Sequence, residues 1–298
     1  MTNRDHLIAF DSDGCVFDNM EFKHKACFVP SFIEFFGFQD TPLQAREVWE
    51  FVNLYSTTRG INRFKGLKLS LDLARTRCAE SGGDPSRELS PPPSIPPSPD
   101  LDSWIAGARQ LSNASLEAEI RTSGSRELEN VLAWSLDVNR RLQEGSPRPF
   151  PAAAEAVARA EQRARVCVVS QAPGTTLRRD WDSHGLSPLV EHIFSQEDGT
   201  KEEHLRRVLK EHPLPGERVL LAGDAPGDYA AAAAAGVLFF PVIPGAEEPS
   251  WEEFLREGLP RFFQGTFAGD YARDLHRRFE SALPETPPWE RPAQPEGT

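Results

Sequence analysis

Five short apolar runs place the strongest constraint on the fold of this chain. They cover Leu7–Phe10, Val166–Val169, His192–Ser195, Arg218–Ala222 and Val237–Val242. Turn-forming residues bound each run, and from Val166 onward a stretch with helical periodicity separates each run from the next. Continuous apolar strands that alternate with helices are typical of a parallel sheet covered on both faces. We therefore predict an α/β fold with a doubly wound parallel sheet, in which ligands bind at the carboxyl ends of the strands.

The long segment 19–149 interrupts this alternation. It contains no convincing parallel strand, and its apolar residues recur at helical spacing in the stretches 21–36, 44–55, 64–81 and 126–144. We predict that 19–149 is an inserted helical domain and that residues 1–18 and 150–245 form the α/β core. Inside the insert, the run SPPPSIPPSPD at 90–100 is predicted to be an extended surface linker, because its prolines lack N–H donors.

The remainder of the chain is predicted to hold two further helices and a tail. Amphipathic patterns at Trp251–Glu257 and Asp270–Leu283 indicate helices within 246–283 that pack on the core. The proline-rich end, 284–298, is predicted to be disordered.

Composition excludes several classes of function. The net charge of −12 argues against a general nucleic-acid or bilayer-surface role, because both require basic patches. No apolar run approaches the 18 or so residues of a membrane span, and we see no signal peptide. The four cysteines form no CxxC pair, which indicates thiols in a reducing compartment. We expect a cytoplasmic protein, either a monomer or a homodimer.

The first apolar run is followed at once by acidic residues. In LIAFDSDGCVFDNM, residues 7–20, Asp11, Asp13 and Asp18 surround Gly14. Residues i and i+2 of a strand point to the same side, so Asp11 and Asp13 can reach one crevice, and Gly14 allows a sharp turn. An EF-hand loop is excluded because its glycine would be sixth and a glutamate twelfth. The alternatives are a solvated turn and a cation site.

A second acidic pair favours the cation site. In RVLLAGDAPGDYAAA, residues 218–232, an apolar strand is followed by Asp224 and Asp228 and then by a helix. Acids at two strand ends can surround a hard cation with oxygen ligands, and Mg²⁺ suits such a site when substrate phosphate completes it.

Two further segments have residues suited to binding a phosphate group. In VCVVSQAPG, residues 166–174, Ser170 ends a strand and opens a helix, so that its hydroxyl, its neighbour Gln171 and free backbone N–H groups can form an anion site. Lys201 in DGTKEEHL begins another helix with no obvious acidic partner on the preceding turn. The alternative for Lys201 is a Lys–Glu pair on the helix surface.

In the order DxDGxxxD, strand–Ser, Lys and strand–GDxxxD, this sequence resembles the haloacid dehalogenase-like superfamily of phosphohydrolases. The resemblance implies that Asp11 is a nucleophile that forms an aspartyl-phosphate, and that Asp13 is the general acid and base. It implies that Mg²⁺ is held by Asp11, the backbone carbonyl of Asp13, and Asp224, with Asp228 close by. Ser170 and Lys201 would bind phosphoryl oxygens. The expected substrate is a small phosphorylated metabolite.

Two alternatives remain within this resemblance. Dehalogenase and phosphonatase branches lack the second acid, Asp13, so the expected reaction is phosphate hydrolysis. A phosphomutase of the β-phosphoglucomutase type keeps both acids, but many capped relatives carry histidine where this chain has Lys23, with His24 beside it. A catalytically silent phosphate-binding relative is the other alternative, although all four motifs are present here. Lys23 is either a substrate ligand or part of a solvated helix face.

The helical insert resembles a C1-type cap, whose helix-to-helix turn implies a specificity loop. STTRGINRFKG, residues 56–66, places Arg59, Asn62 and Arg63 around Gly60 in an otherwise acidic protein. Guanidinium groups could bind a carboxylate or second phosphate of the substrate. The alternative is a solvated basic turn.

Overall fold

The computed structural model describes residues 4–80, 97–145 and 147–290, which form two compact units. The core unit comprises residues 1–20 and 146–285, and the cap unit comprises residues 21–145 and 286–298, in both cases as far as they are described. Most of the proline-rich run 90–100 lies outside the described residues. Its end does not form a linker, because Pro99 opens a helix. Proline is tolerated there since the first N–H of a helix has no partner within the helix.

Seven strands are present in the described residues. They are β1 (Leu7–Phe10), β2 (Phe17–Asp18), β3 (Arg148–Pro149), β4 (Arg165–Val169), β5 (His192–Phe194), β6 (Val219–Gly223) and β7 (Leu238–Pro241).

Fourteen α-helical segments are present in the same residues. The cap unit holds α1 (Met20–Phe22, which begins in the core unit), α2 (Val29–Phe36), α3 (Pro42–Asn53), α4 (Arg63–Glu80), α5 (Pro99–Gly107), α6 (Asn113–Ser123) and α7 (Arg126–Leu142). The core unit holds α8 (Pro151–Glu161), α9 (Gly174–Ser183), α10 (Lys201–Glu211), α11 (Pro226–Ala235), α12 (Glu247–Glu253), α13 (Leu259–Gln264) and α14 (Asp270–Ala282).

The core unit is built on a five-stranded parallel sheet in the order β5-β4-β1-β6-β7. The chain builds outward from β1 on one side through β4 and β5, and then on the other side through β6 and β7. Phe10 pairs with Val168 of β4 and with Ala222 of β6, so these three strands end nearly level. The predicted doubly wound parallel sheet is confirmed. Its central strand lies at the point where strand order reverses, which is where such sheets bind ligands.

Alternate residues of β1 enter two different hydrophobic clusters. Ile8 and Phe10 pack with side chains of α8, α9, α12 and α13 on one face of the sheet. Leu7 and Ala9 pack with side chains of α10, α11 and α14 on the other face. All four residues are buried, which explains why the strand is apolar at every position rather than alternating.

Two helical segments contain a π-helical turn that the sequence pattern does not reveal. These turns are Lys23–Phe28 and Phe254–Gly258, and each ends two residues before a proline, Pro30 or Pro260. Proline lacks an N–H and its ring crowds the carbonyl four residues earlier, so the preceding turn widens to accommodate it. The helix predicted at 251–257 therefore continues, through such a turn, to Gln264.

The cap unit has its own aromatic core, in which Trp49 and Trp134 meet with ring centroids 5.8 Å apart. In addition to the four predicted helical stretches, the unit contains α5 and α6. Of the predicted disordered tail, residues 291–298 lie outside the described residues, and Trp289 packs edge-on against Phe51 of this unit. Within the described residues, none of the helices has the length and apolar composition that a membrane span requires.

Candidate active site

Three buried carboxylates meet at the carboxyl edge of the central strands. Asp11 follows β1, Asp224 follows β6, and Asp228 lies in the first turn of α11. One oxygen from each lies within 4.8 Å of the others. Gly223 makes room for this arrangement, because a Cβ atom there would lie 2.5 Å from the Cβ of Asp228. The structure thus brings together three of the predicted metal ligands.

Lys201 contributes a positive charge to the same cluster. It is the first residue of α10, whose N-terminus is capped by Thr200, and its Nζ lies 2.9 Å from Asp11 Oδ1 and also forms a short contact with Asp228. The sequence suggested no acidic partner because one carboxylate follows β1 and the other lies in α11, both distant from Lys201 along the chain. The alternative of a Lys–Glu pair on the helix surface is wrong, since the Lys201 side chain is only 14% exposed.

Burial and ion pairing shift the pKa values of Asp11 and Lys201 in opposite directions. Burial raises the pKa of Asp11 well above its usual value, and the ammonium of Lys201 opposes this rise. Burial also works to lower the pKa of Lys201, but the carboxylates of Asp11 and Asp228 outweigh it and raise the pKa. Among the described residues of the cluster, three carboxylates thus face one ammonium group. This imbalance of buried negative charge, with oxygen donors throughout, fits a hard divalent cation such as Mg²⁺.

Asp13 lies beside this cluster but its carboxylate does not belong to it. The buried Asn19 donates its side-chain N–H to Asp13 Oδ1 at 2.6 Å. Asn19 Oδ1 in turn accepts the N–H of Gly14 at 3.0 Å, and Gly14 has the left-handed φ of 75° that its turn requires. The resemblance assigns the metal ligand at Asp13 to its backbone carbonyl and not to its carboxylate, and this assignment stays a prediction. Gly14 is also predicted to bind substrate, and its N–H donates to Asn19 Oδ1 and to the carbonyl of Phe17.

Sequence reasoning missed Asn19 and one tryptophan that supports the same loop. Trp181 of α9 is fully buried and donates its indole N–H to Ser12 Oγ at 3.1 Å. The one clue in the sequence was the position of Asn19 immediately after Asp18, since an asparagine so close to the acidic turn can form hydrogen bonds with it. For Trp181 there was no such signal, because Ser12 lies 169 residues earlier in the chain.

Ser170 follows β4 and is buried beside the strand end, but the helix does not begin there. Its hydroxyl accepts the N–H of Ala172 at 3.2 Å, and α9 begins four residues later at Gly174. The N–H of Gly174 donates to the carboxylate of Glu197 at 3.0 Å. The expectation of free backbone N–H groups is therefore wrong for these two amides. Gln171, also predicted to bind substrate, donates to the carbonyl of Gly199 at 2.9 Å.

The predicted specificity loop of the cap unit is not a solvated basic turn. Arg63 donates to Asn139 Oδ1 at 2.7 Å and to Ser135 Oγ at 3.2 Å, and its guanidinium lies over the ring of Phe28. Burial lowers the pKa of Arg63 to about 10. Arg59 is also buried and donates to the carbonyl of Leu54.

The other cap residues predicted to bind substrate also have local roles. Asn62 Oδ1 accepts the N–H of Phe64 and so caps α4. Lys23 is half-buried in the first π-helical turn. Its neighbour His24 stacks on Phe28, and its Nδ1 accepts the indole N–H of Trp49 at 3.0 Å.

Comparison with known proteins assigns the chain to a family. A family model described as haloacid dehalogenase-like hydrolase matches residues 6–236. Similar solved structures include a Bacteroides fragilis protein assigned to the haloacid dehalogenase-like hydrolases, with 16% identity and a TM-score of 0.50 over 82% of this chain and 92% of that chain. A predicted phosphoglycolate phosphatase of Haemophilus somnus has 13% identity and a TM-score of 0.49, over 86% and 99%.

At such identities the structural similarity concerns the fold alone. Among curated proteins, no sequence matches this chain significantly. The family match spans most of the chain and includes all three carboxylates and Lys201. The chain therefore belongs to the haloacid dehalogenase-like hydrolases.

Proposed function

We propose that this protein is a Mg²⁺-dependent phosphatase that hydrolyses a small phosphorylated metabolite through an aspartyl-phosphate intermediate. The observation that carries the proposal is the cluster of Asp11, Asp224 and Asp228 around Lys201, with a second acid, Asp13, two residues after Asp11. Phosphoryl transfer depends chiefly on positioning and on cations near the developing charge, and this cluster supports both.

Asp11, Asp224 and Asp228 would hold the metal ion with their carboxylate oxygens. When bound, Mg²⁺ supplies positive charge that offsets the repulsion between a carboxylate and a phosphate dianion. Lys201, whose Nζ lies 2.9 Å from Asp11 Oδ1, supplies a further positive charge beside Asp11.

The covalent steps use the two acids of the first turn. A carboxylate oxygen of Asp11 attacks phosphorus, and the bond from phosphorus to the leaving oxygen breaks. Asp13 donates its proton to that oxygen. Asp13 then takes a proton from water, whose oxygen attacks the phosphorus of the aspartyl-phosphate and releases inorganic phosphate and free Asp11. Asn19 holds Asp13 in place for both proton transfers.

The presence of Asp13 favours an alcohol as leaving group over a halide. An alkoxide is a poor leaving group and must be protonated as it departs, whereas a halide ion leaves without a proton. The second carboxylate, Asp13, which accepts a hydrogen bond from Asn19, can therefore serve phosphate ester hydrolysis, whereas dehalogenation does not require it.

The proposal is tested by turnover of p-nitrophenyl phosphate with purified protein. We expect activity with Mg²⁺, loss of activity with EDTA and recovery when Mg²⁺ is restored. Asp11→Asn should abolish turnover with an unchanged circular dichroism spectrum. As a matched control, Asp182→Asn changes an exposed acid of the core unit and should leave the rate unchanged.

Two results would contradict the proposal. A folded wild-type protein that releases no phosphate from any phosphate ester would indicate a catalytically silent relative. Transfer of phosphate to a second hydroxyl of a sugar phosphate, without release of inorganic phosphate, would indicate a phosphomutase.

A further inference from the structure

The family match ends at residue 236, but the chain continues into helices that pack against the core sheet. We refer to residues 247–264, which form α12, a π-helical turn and α13, as the C-terminal bracket. Its buried apolar side chains belong to the same hydrophobic cluster as Phe10 and Val16; they are Trp251, Phe254, Leu259 and Phe262. Phe10 immediately precedes Asp11, so the C-terminal bracket packs against the residue from which the acidic turn begins.

Trp251 makes the most direct connection between the C-terminal bracket and this turn. Its side chain is fully buried, and its indole N–H donates to the backbone carbonyl of Cys15 at 2.9 Å. Its ring also lies 5.9 Å from that of Phe10, centroid to centroid. Trp251 thus contacts the turn on both sides of Asp11 and Asp13.

The C-terminal bracket is itself fixed to the core unit at several points. Ser250 Oγ accepts the N–H of Ile243 at 3.0 Å, and Glu248 accepts the N–H of Ala152 at 3.0 Å. Phe254 packs edge-on against Phe240 of β7, with ring centroids 4.9 Å apart. A hydrogen bond from Trp251 therefore comes from a rigid support and can hold a backbone position.

A second indole holds the other end of the same turn. Trp181 donates to Ser12 Oγ, while Trp251 donates to the carbonyl of Cys15. Ser12 immediately precedes Asp13, and Cys15 follows it by two residues. The two tryptophans therefore restrain the backbone on both sides of the proposed acid and base.

We propose that Trp251 is a positioning residue for catalysis and that the C-terminal bracket is part of the active-site scaffold of this protein. Loss of the indole N–H would leave the buried carbonyl of Cys15 without this partner and would loosen the turn that carries Asp13. The catalytic part of this inference rests on the proposed phosphatase function, whereas the restraint of the turn does not.

The test compares Trp251→Phe with Trp134→Phe in the full-length protein. Both variants remove the same atoms from a fully buried tryptophan, but the indole N–H of Trp134, in the cap unit, has no hydrogen-bond partner among the described residues. Hydrogen exchange of peptides that cover residues 11–19 reports the restraint of the turn. Steady-state kinetics with an alkyl phosphate and Mg²⁺ report catalysis, because the departing alcohol needs the proton of Asp13.

We expect Trp251→Phe to accelerate exchange in the turn and to lower kcat about fivefold with little change in KM. Trp134→Phe should change neither. Unchanged exchange in the turn, or faster exchange with an unchanged kcat, would overturn the proposal. If the wild-type protein has no phosphatase activity, the phosphatase function fails, and the exchange result alone decides whether Trp251 restrains the turn.

A measurement on the wild-type protein decides the matter if Trp251→Phe does not fold. In low concentrations of urea, amides of the C-terminal bracket and of residues 11–19 should exchange through one shared opening, with the same dependence on urea. Opening of the C-terminal bracket at lower urea than the turn would overturn the proposal.

Discussion

The bond between Asn19 and Asp13 yields a quantitative prediction for Asn19→Ala. The side chain of Asn19 donates to the carboxylate of Asp13 at 2.6 Å and accepts the N–H of Gly14 at 3.0 Å. Gly14 also donates to the carbonyl of Phe17, so its N–H keeps a partner in the variant. The main loss is one hydrogen bond to a charged group, worth about 1.5–3 kcal/mol.

The effect should depend on the leaving group of the substrate. An alkyl phosphate needs a proton from Asp13 as its alcohol departs, whereas p-nitrophenolate leaves without one. We therefore expect Asn19→Ala to lower kcat/KM about 10- to 150-fold for an alkyl phosphate. For p-nitrophenyl phosphate the loss should be less than about threefold. The measurement uses kcat/KM because this constant reports the first irreversible step, in which the phosphoryl group reaches Asp11.

Asn53→Ala is the matched control. Asn53 is buried in the cap unit and donates to the carbonyl of Trp49, so its loss has a comparable structural cost without affecting Asp13. The reasoning is refuted if folded Asn19→Ala loses equal activity on both substrates, or if it keeps full activity on the alkyl phosphate.

Three further predictions concern charged and titratable side chains of the two units. Lys201→Met should cost about 3–5 kcal/mol of unfolding free energy in urea, because it leaves the buried carboxylates of Asp11 and Asp228 without their ammonium partner. Added Mg²⁺ should restore part of this loss, and no response to Mg²⁺ would contradict the metal site. Arg63→Ala should cost about 2–3 kcal/mol through its lost bonds to the cap, while exposed Arg109→Ala should cost little. A raised KM with unchanged stability in Arg63→Ala would instead favour a substrate contact. Burial lowers the pKa of His204, against the opposing effects of Asp198 and the backbone of Ser195, so stability should fall as the pH drops through the unfolded value of 6.5. Between about pH 7.5 and pH 5 the wild-type Tm should therefore fall more than that of His204→Leu, and parallel Tm curves would contradict this.

The sheet and the positions of its acids could be read from local patterns. A strand buried on both faces must be apolar at every position, and β1 and β6 are marked in this way by LIAF and VLLAG. Parallel strands end at one edge, so residues that follow two such strands are expected to lie together. This reasoning alone places Asp11 near Asp224, although they are more than 200 residues apart.

Helix boundaries in the cap unit were less accessible to such reasoning. The two helices not predicted, α5 and α6, are short and have a weak apolar periodicity. The prolines next to α5 suggested an extended linker, but Pro99 occupies the first position of that helix, where it is tolerated. Trp289 packs on an aromatic partner, Phe51, that lies far from it in sequence, and no local pattern marks this contact.

The partners of charged and polar side chains were decided only by the tertiary structure. Arg63 is predicted to lie either in a specificity loop or in a solvated basic turn, yet it binds Ser135 and Asn139 on α7, more than 70 residues away. Lys201 is predicted to bind phosphoryl oxygens, and its pairing with the carboxylates of Asp11 and Asp228 is seen only in the fold. A charged side chain pairs with whatever the fold brings within a few ångströms, and local sequence carries no record of that distance.

The hydrogen bond from Trp251 to the carbonyl of Cys15 shows most clearly which contacts cannot be predicted from the sequence. Its acceptor is a backbone carbonyl, a group that every residue possesses, so no residue type at position 15 marks it as a partner. The acids of the turn are visible in the sequence because their chemistry requires carboxylates. The support that holds the turn is visible only in the fold, because it depends on the distance between two segments 236 residues apart.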